Sequence, residues 1–362
     1  MADARQYFTF DQAFPLRRGG SLPEFTLAYE TWGTLNARRD NAVVIFTGLS
    51  PDAHACSSEA NPEPGWWEFM VGPGKPVDTS RWYVVCINSL GSCKGSTGPA
   101  SENPATGKRY RLAFPELSIE DIANAGQKLV AHLGIGDIAV LIGPSMGGMT
   151  ALAYSLQFGG VRNMINISST ASSSPYAIAL RSLQREMIRE DRQWRGGDYI
   201  DGDGPKTGMR LARKLGMITY RSAEEWHDRF KRDLIAPDKL GDDPFGPRFE
   251  IESYLQYHAQ KFIDGFDPNC YLYLSRAMDL FDAKDHGFGS AESSARFDSA
   301  LVIGVDSDIL FPIYQQRQIC TIMTEERTSV QFHALESIQG HDAFLVDSER
   351  FAPVVARYLE KL

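Results

Sequence analysis

A serine, a choice of two aspartates and a histidine, far apart in the chain, have the types and order of a nucleophile, an orienting acid and a base. The serine lies in Leu141-Ile-Gly-Pro-Ser-Met-Gly-Gly-Met149, where Gly143, Ser145 and Gly147 fill the fixed places of Gly-x-Ser-x-Gly. Before it, Asp137-Ile-Ala-Val-Leu-Ile142 is a short apolar run that reads as a buried strand; after it, Met149-Thr-Ala-Leu-Ala-Tyr-Ser-Leu156 reads as a helix. A serine on so sharp a strand-to-helix turn must adopt strained backbone angles, and small neighbours make room for them. The turn lifts the hydroxyl clear of the sheet. The helix N-terminus behind it offers N–H donors and a positive dipole end to a developing oxyanion. A tight connection carrying an idle serine has the same local appearance, so the partners decide the reading.

A nucleophilic serine needs a base, and the base needs an orienting carboxylate. In α/β-hydrolases they follow in the order Ser, Asp or Glu, His. Ser299-Ala-Leu-Val-Ile-Gly-Val305 reads as a buried strand that runs into the loop Asp306-Ser-Asp308-Ile-Leu-Phe-Pro312. Ser329-Val-Gln-Phe-His333 reads as the next strand, and the loop Glu336-Ser-Ile-Gln-Gly-His341-Asp-Ala-Phe344 follows it. His341, after Gly340 in a loop past a strand, is the candidate base. Asp308 is the candidate orienting acid and Asp306 the alternative.

The elements that must position these groups alternate along the chain. Ala42-Val-Val-Ile-Phe46, Trp82-Tyr-Val-Val-Cys-Ile87 and Val161-Arg-Asn-Met-Ile-Asn-Ile-Ser168 read as strands, and Ser118 caps a helix running to His132. The pattern predicts an α/β fold, of the α/β-hydrolase type, with a mostly parallel sheet. From about residue 173 to 298 strand signals give way to helical segments such as Pro175–Arg189 and to polar loops such as Gly196–Pro205. We therefore expect a core from 1–172 and 299–362 with a helical lid, 173–298, inserted between.

Composition sets outer bounds. Of 362 residues, 43% are hydrophobic and 23% charged, an ordinary globular balance able to bury a large core. The formal net charge of −9 argues against a general nucleic-acid surface. The five cysteines, Cys56, Cys86, Cys93, Cys270 and Cys320, are odd in number without a CxxC pair, which suits a reducing compartment and argues against a zinc site; no metal is expected. Cys86 reads as a core residue. Met1-Ala-Asp-Ala-Arg-Gln-Tyr7 has no apolar signal segment, and no run approaches the ~20 apolar residues of a membrane span. A soluble cytoplasmic protein that binds neither membrane nor nucleic acid is the expectation. Gly91-Ser-Cys-Lys-Gly-Ser-Thr-Gly98 lacks Walker spacing.

Gly-Pro-Ser-Met-Gly-Gly-Met, Ser-Asp-Ile-Leu-Phe-Pro and Gly-His-Asp-Ala-Phe-Leu resemble the motifs of the homoserine/serine O-acyltransferases, acyl-CoA-dependent α/β-hydrolase-fold enzymes of methionine and cysteine biosynthesis. The resemblance continues in Gly65-Trp-Trp-Glu68, Gly72–Thr79, Asn88–Pro99 and Gly208–Arg221, and so spans nearly the whole chain. It implies ping-pong transfer: Ser145, activated by His341, takes the acyl group from acyl-CoA and passes it to an amino-acid hydroxyl. It implies an oxyanion hole from the N–H groups of Met146 and Leu49; Pro51, in the same loop, has no N–H to give. It assigns Arg213 to the acceptor's carboxylate, Asp342 to its ammonium and Tyr220 to the same pocket. It also implies a homodimer, with no permanently bound cofactor and acyl-CoA as cosubstrate. In a chain of net charge −9 that polyanion needs a local basic patch, to which Lys94, Lys108, Arg109 and Arg111 could contribute.

Two departures bear on substrate. Homoserine-specific members commonly have Ala-Leu-Thr-Gly where this chain has Gly48-Leu49-Ser50-Pro51, and Pro51 stiffens the pocket wall against the longer acceptor. A helix position usually neutral in acetyl-specific members is Arg181 here, one turn before Arg185, and an extra guanidinium would pair with the free carboxylate of a succinyl group. Homoserine succinyltransferases place an arginine just after the catalytic aspartate, where this chain has Leu310. The combination is most like the serine O-succinyltransferases, acting on L-serine and succinyl-CoA. The alternatives are homoserine O-acetyltransferase or O-succinyltransferase activity, an esterase-type hydrolase, or a fold used only for binding.

Overall fold

Apolar runs of five to eight residues pair into one eight-stranded sheet: β1 Gln6–Phe10, β2 Phe25–Trp32, β3 Ala42–Phe46, β4 Tyr83–Ile87, β5 Ile138–Pro144, β6 Val161–Ile167, β7 Ser299–Val305 and β8 Ser329–Leu335. The computed structural model describes residues 4–290, 293 and 295–362. The spatial order is β1-β2-β4-β3-β5-β6-β7-β8. β2 runs antiparallel to both its neighbours, and all other neighbouring pairs are parallel. Every residue of β3 and β5 is buried, as expected of parallel strands covered on both faces. Successive side chains alternate between two cores: Val44, Phe46 and Leu141 enter one, Val43, Ile45, Val140 and Ile142 the other.

Helices cover the faces. α1 (Ile119–His132) starts in a capping box in which Ser118 and Asp121 exchange side-chain and backbone bonds, as the cap residue predicts. α2 (Met146–Phe158) follows β5 directly. Between β6 and β7 the chain forms α3 (Pro175–Arg189), α4 (Lys206–Tyr220), α5 (Ala223–Phe230), α6 (Glu250–Ile263) and α7 (Pro268–Leu280). α3 and α4 pack together, and α4 packs on α6. α8 (Ile313–Glu325) joins β7 to β8, and α9 (Ala343–Val346) and α10 (Ser348–Leu359) complete the second face. Residues 291, 292 and 294 of the expected 173–298 insertion, and residues 1–3, lie outside the described residues. Among the described residues no helix is long and apolar enough to cross a membrane.

Strands β3 to β8 coincide with the sequence expectation to within two residues at either end. The antiparallel edge, β1 and β2, has no counterpart in it. β2 carries Glu30 and two threonines among its apolar residues, which breaks the apolar run. Glu30 is nonetheless buried, its carboxylate 2.8 Å from Nδ1 of His54. Cys86 is buried in β4, and all five cysteines are unbridged.

Candidate active site

At the β5–α2 junction Ser145 holds φ 55° and ψ −123°, a left-handed conformation costly for any residue with a Cβ. The glycines around it have separate reasons. A Cβ on Gly143 would lie 2.2 Å from the Gly147 carbonyl oxygen, and one on Gly147 would lie 2.1 Å from that of Phe46 in β3. The elbow thus fits only because two backbones touch where side chains would stand. Ser169, just past β6, donates its hydroxyl to the Ser145 carbonyl at 2.6 Å, and the Ser145 N–H donates to Ile167 at 2.9 Å. These bonds brace the strained residue.

The loops after β7 and β8 bring the other two groups to it. Nε2 of His341 is 2.9 Å from Oγ of Ser145, and Nδ1 is 2.8 Å from Oδ2 of Asp308. The second oxygen of Asp308 accepts N–H bonds from Leu310 and Phe311, each 2.9 Å. Asp306 is exposed, so of the two aspartates Asp308 is the one the structure brings to His341. Gly340 has φ +64°, and a Cβ there would lie 2.7 Å from the Tyr220 carbonyl oxygen, so the glycine before His341 is required by the turn. The imidazole is 5% exposed, walled by Phe311, Tyr220 and Phe344. Burial works against its charged form, but the charge and hydrogen bond of Asp308 and the charge of Asp342 outweigh burial and the nearby Arg181. His341 is held above the ordinary histidine value.

Ser145 and His341 open into a cavity of about 90 Å³ that Gly48, Leu49, Ser50, Pro51, Arg181, Tyr220, Leu310 and Asp342 also line. Asn88 donates to the Pro51 carbonyl at 3.0 Å and so fixes the loop bearing Leu49. Arg181 is buried: Nε donates to Asp279 and Nη2 to Ser173, both at 2.6 Å, while Nη1 is buried without a hydrogen-bond partner. Nη2 of Arg185 lies 2.7 Å from the other Asp279 oxygen. Arg185 does not line the cavity; two guanidinium groups share one carboxylate, leaving one net positive charge beside the nucleophile.

A second, larger opening of about 470 Å³ adjoins the first, the two sharing Ser50 and Asp342. Arg213 lines it, stacked 4.3 Å from the Phe262 ring centre, its Nε buried without a partner. Burial holds the Tyr220 hydroxyl above its ordinary value, with Asp342 adding to the shift and Arg213 opposing it. Lys94 faces this opening. Arg109 and Arg111 instead pair with Asp201, and Lys108 is exposed on a two-residue strand.

Sequence reasoning missed three partners. Arg221 donates from Nε to Asp342 at 3.2 Å; Asp279 neutralises part of the arginine pair; Ser169 braces the elbow. Arg221 stands beside Tyr220 in a stretch of matching sequence, which could have marked it; Asp279 and Ser169 carry no local signal. Among the described residues no group of three or more His, Cys, Asp or Glu could hold a metal ion.

The strand order and the elbow define an α/β-hydrolase fold in which His341 stands within hydrogen-bond reach of both Ser145 and Asp308. The alpha/beta hydrolase fold family matches residues 41–346. The chain belongs to that family and, within it, to the homoserine/serine O-acyltransferases, and is an acyltransferase. It is 55% identical over 363 residues to the serine O-succinyltransferase of Litchfieldella anticariensis, covering 99% of each chain. It is 53% identical to that of Xanthomonas euvesicatoria pv. vesicatoria, covering 98% of this chain and 97% of the relative. Among solved structures, homoserine O-acetyltransferase from Bacillus anthracis superposes with a TM-score of 0.87 at 26% identity, covering 98% of this chain and 97% of that one. Esterase E22 also gives 0.87 at 26% identity, covering 98% and 99%.

Proposed function

We propose that the enzyme moves a succinyl group from succinyl-CoA to the hydroxyl of L-serine through an acyl-Ser145 intermediate. Ser145 Oγ bonds to the thioester carbonyl carbon while its proton passes to His341 Nε2. The oxyanion faces the N–H groups of Met146 and Leu49, each such donor being worth ~3 kcal/mol of barrier. Collapse breaks the C–S bond, and the CoA sulfur leaves with the proton from His341. The serine hydroxyl then attacks the acyl-enzyme and gives its proton to the same nitrogen. Collapse breaks the bond to Oγ, and Ser145 recovers the proton. Arg213, in the larger opening, and Asp342, where the two openings meet, hold the acceptor's carboxylate and ammonium, with Tyr220 lining the smaller cavity. We take residues 173–298 as a lid on the change in sequence pattern, a cytoplasmic location on composition, and a homodimer on the family resemblance.

The single observation that carries the succinyl reading is the unpartnered Nη1 of Arg181 in the cavity of Ser145. A buried donor left unpaired costs about 1–3 kcal/mol, and a succinyl carboxylate removes that cost where an acetyl methyl does not. The test is a donor-by-acceptor matrix of succinyl- and acetyl-CoA against serine and homoserine, with Arg181→Leu alongside the wild type. Arg181→Leu should lower kcat/KM for succinyl-CoA about 10- to 100-fold, as expected for loss of a charge-assisted hydrogen bond, and leave acetyl-CoA nearly unchanged. An unchanged donor ratio, or a wild-type preference for acetyl-CoA, overturns the succinyl assignment. Preference for homoserine overturns the acceptor, and acyl-CoA hydrolysis that serine does not divert overturns transfer altogether.

A further inference from the structure

The acceptor accounts for only part of the larger opening. A small zwitterion needs one cation and one anion, which Arg213 and Asp342 supply. Lys94 and Lys261 also line the opening, as do Arg221 and His258. Asp342 is the only carboxylate among its lining residues, in a chain of net charge −9. Tyr254, His258, Lys261 and Phe262 are spaced i, i+4, i+7 and i+8 on α6, which puts them on one helical face. Across from it Trp226 of α5 meets the Tyr254 ring edge-on, with centroids 6.0 Å apart. Lys94 comes from the core loop after β4, and its Nζ lies 3.4 Å from where a Cβ on Gly265, just past α6, would stand, so a core cation and a helix cation line the same mouth.

We infer that this mouth is the docking site for the phosphorylated nucleotide end of the acyl-CoA donor, with Lys94 and Lys261 meeting its phosphates and Trp226 offering a ring to its base. The inference rests on the proposed use of a CoA thioester and says where its non-reacting part sits. Phosphate is drawn to clustered cations, and a purine is stabilised by stacking on an aromatic ring, which charge pairing does not supply. The field at the site agrees. Burial holds His258 below the ordinary histidine value, and Arg229, Lys261 and Arg213 add to the shift, all of them cations. Because the mouth adjoins the Ser145 cavity at Ser50 and Asp342, a donor seated there reaches the nucleophile along its thioester arm.

The test compares succinyl-CoA with succinyl-N-acetylcysteamine thioester, which keeps the acyl group and the sulfur but has no nucleotide. Lys94→Ala/Lys261→Ala should raise KM for succinyl-CoA about 10-fold or more, as loss of charge-assisted contacts predicts, with kcat changed little. Kinetics with the truncated thioester should not move, and Lys94→Arg/Lys261→Arg should restore the lower KM. Rising salt should weaken only the CoA donor. Variants that affect both donors alike, or neither, overturn the location while leaving the CoA reading intact. A wild type that forms no acyl-enzyme with succinyl- or acetyl-CoA overturns both.

Discussion

Asp308 divides its two oxygens between two tasks, one held by a pair of backbone N–H groups and the other facing the imidazole. Asp308→Asn keeps an oxygen for the amides, so the fold should survive. Its amide nitrogen then faces Nδ1 of His341 and favours the wrong tautomer. We expect kcat to fall about 10³- to 10⁴-fold with the melting temperature nearly unchanged, by steady-state kinetics and calorimetry. An inactive Asp306→Asn beside an active Asp308→Asn would reverse the assignment. The raised His341 value has a signed consequence. The imidazole must be neutral to accept a proton, so activity is lost as pH falls through its pKa, and the acid limb should lie above ~6.5. Asp342 is one of the groups raising it, so Asp342→Asn should move that limb to lower pH. The rate of acyl-enzyme formation without acceptor is the measurement, and a limb that stays in place or rises contradicts the coupling. That Ser145, Asp308 and His341 meet was legible because a nucleophile, an orienting acid and a base have fixed types and order. Arg221 and Asp279 were not, because what a surface-looking charge pairs with is decided by packing: Arg221 meets Asp342 across 121 residues of chain.

Among the elements, those that carry the site were the easier to read. Buried parallel strands are unbroken apolar runs, and Ser118 announces α1 as a cap. The edge strand β2 was hidden because Glu30 interrupts its pattern, and only the fold reveals His54 as the partner that allows it to be buried. Turns are legible where a glycine is compulsory. Gly340→Ala puts a Cβ in a left-handed position against the Tyr220 carbonyl, on the connection that aims His341. Strain of about 1 kcal/mol or more should lower the melting temperature by a few degrees. Because the imidazole must shift to relieve it, kcat should drop at least ~10-fold, a larger loss than the stability change alone would bring. Full activity in a destabilised Gly340→Ala would show that the turn tolerates the shift.

At the scale of the molecule, a net negative protein sets Lys94, Arg213, Arg221 and Lys261 around one opening whose lining holds a single carboxylate, Asp342, and which adjoins the cavity of Ser145. Composition alone concealed this, since net charge averages over faces that chemistry uses separately. The same long reach that builds the site also orders its completion in time. Ser145 and His341 lie 196 residues apart, with α3 to α7 between them. Ribosomal synthesis delivers the elbow first, and β6, the helical block, β7 and β8 must follow before the imidazole exists. A chain still being made therefore carries Ser145 without its partner imidazole, and the pair can form only once β8 and the loop after it have been made and have joined the sheet.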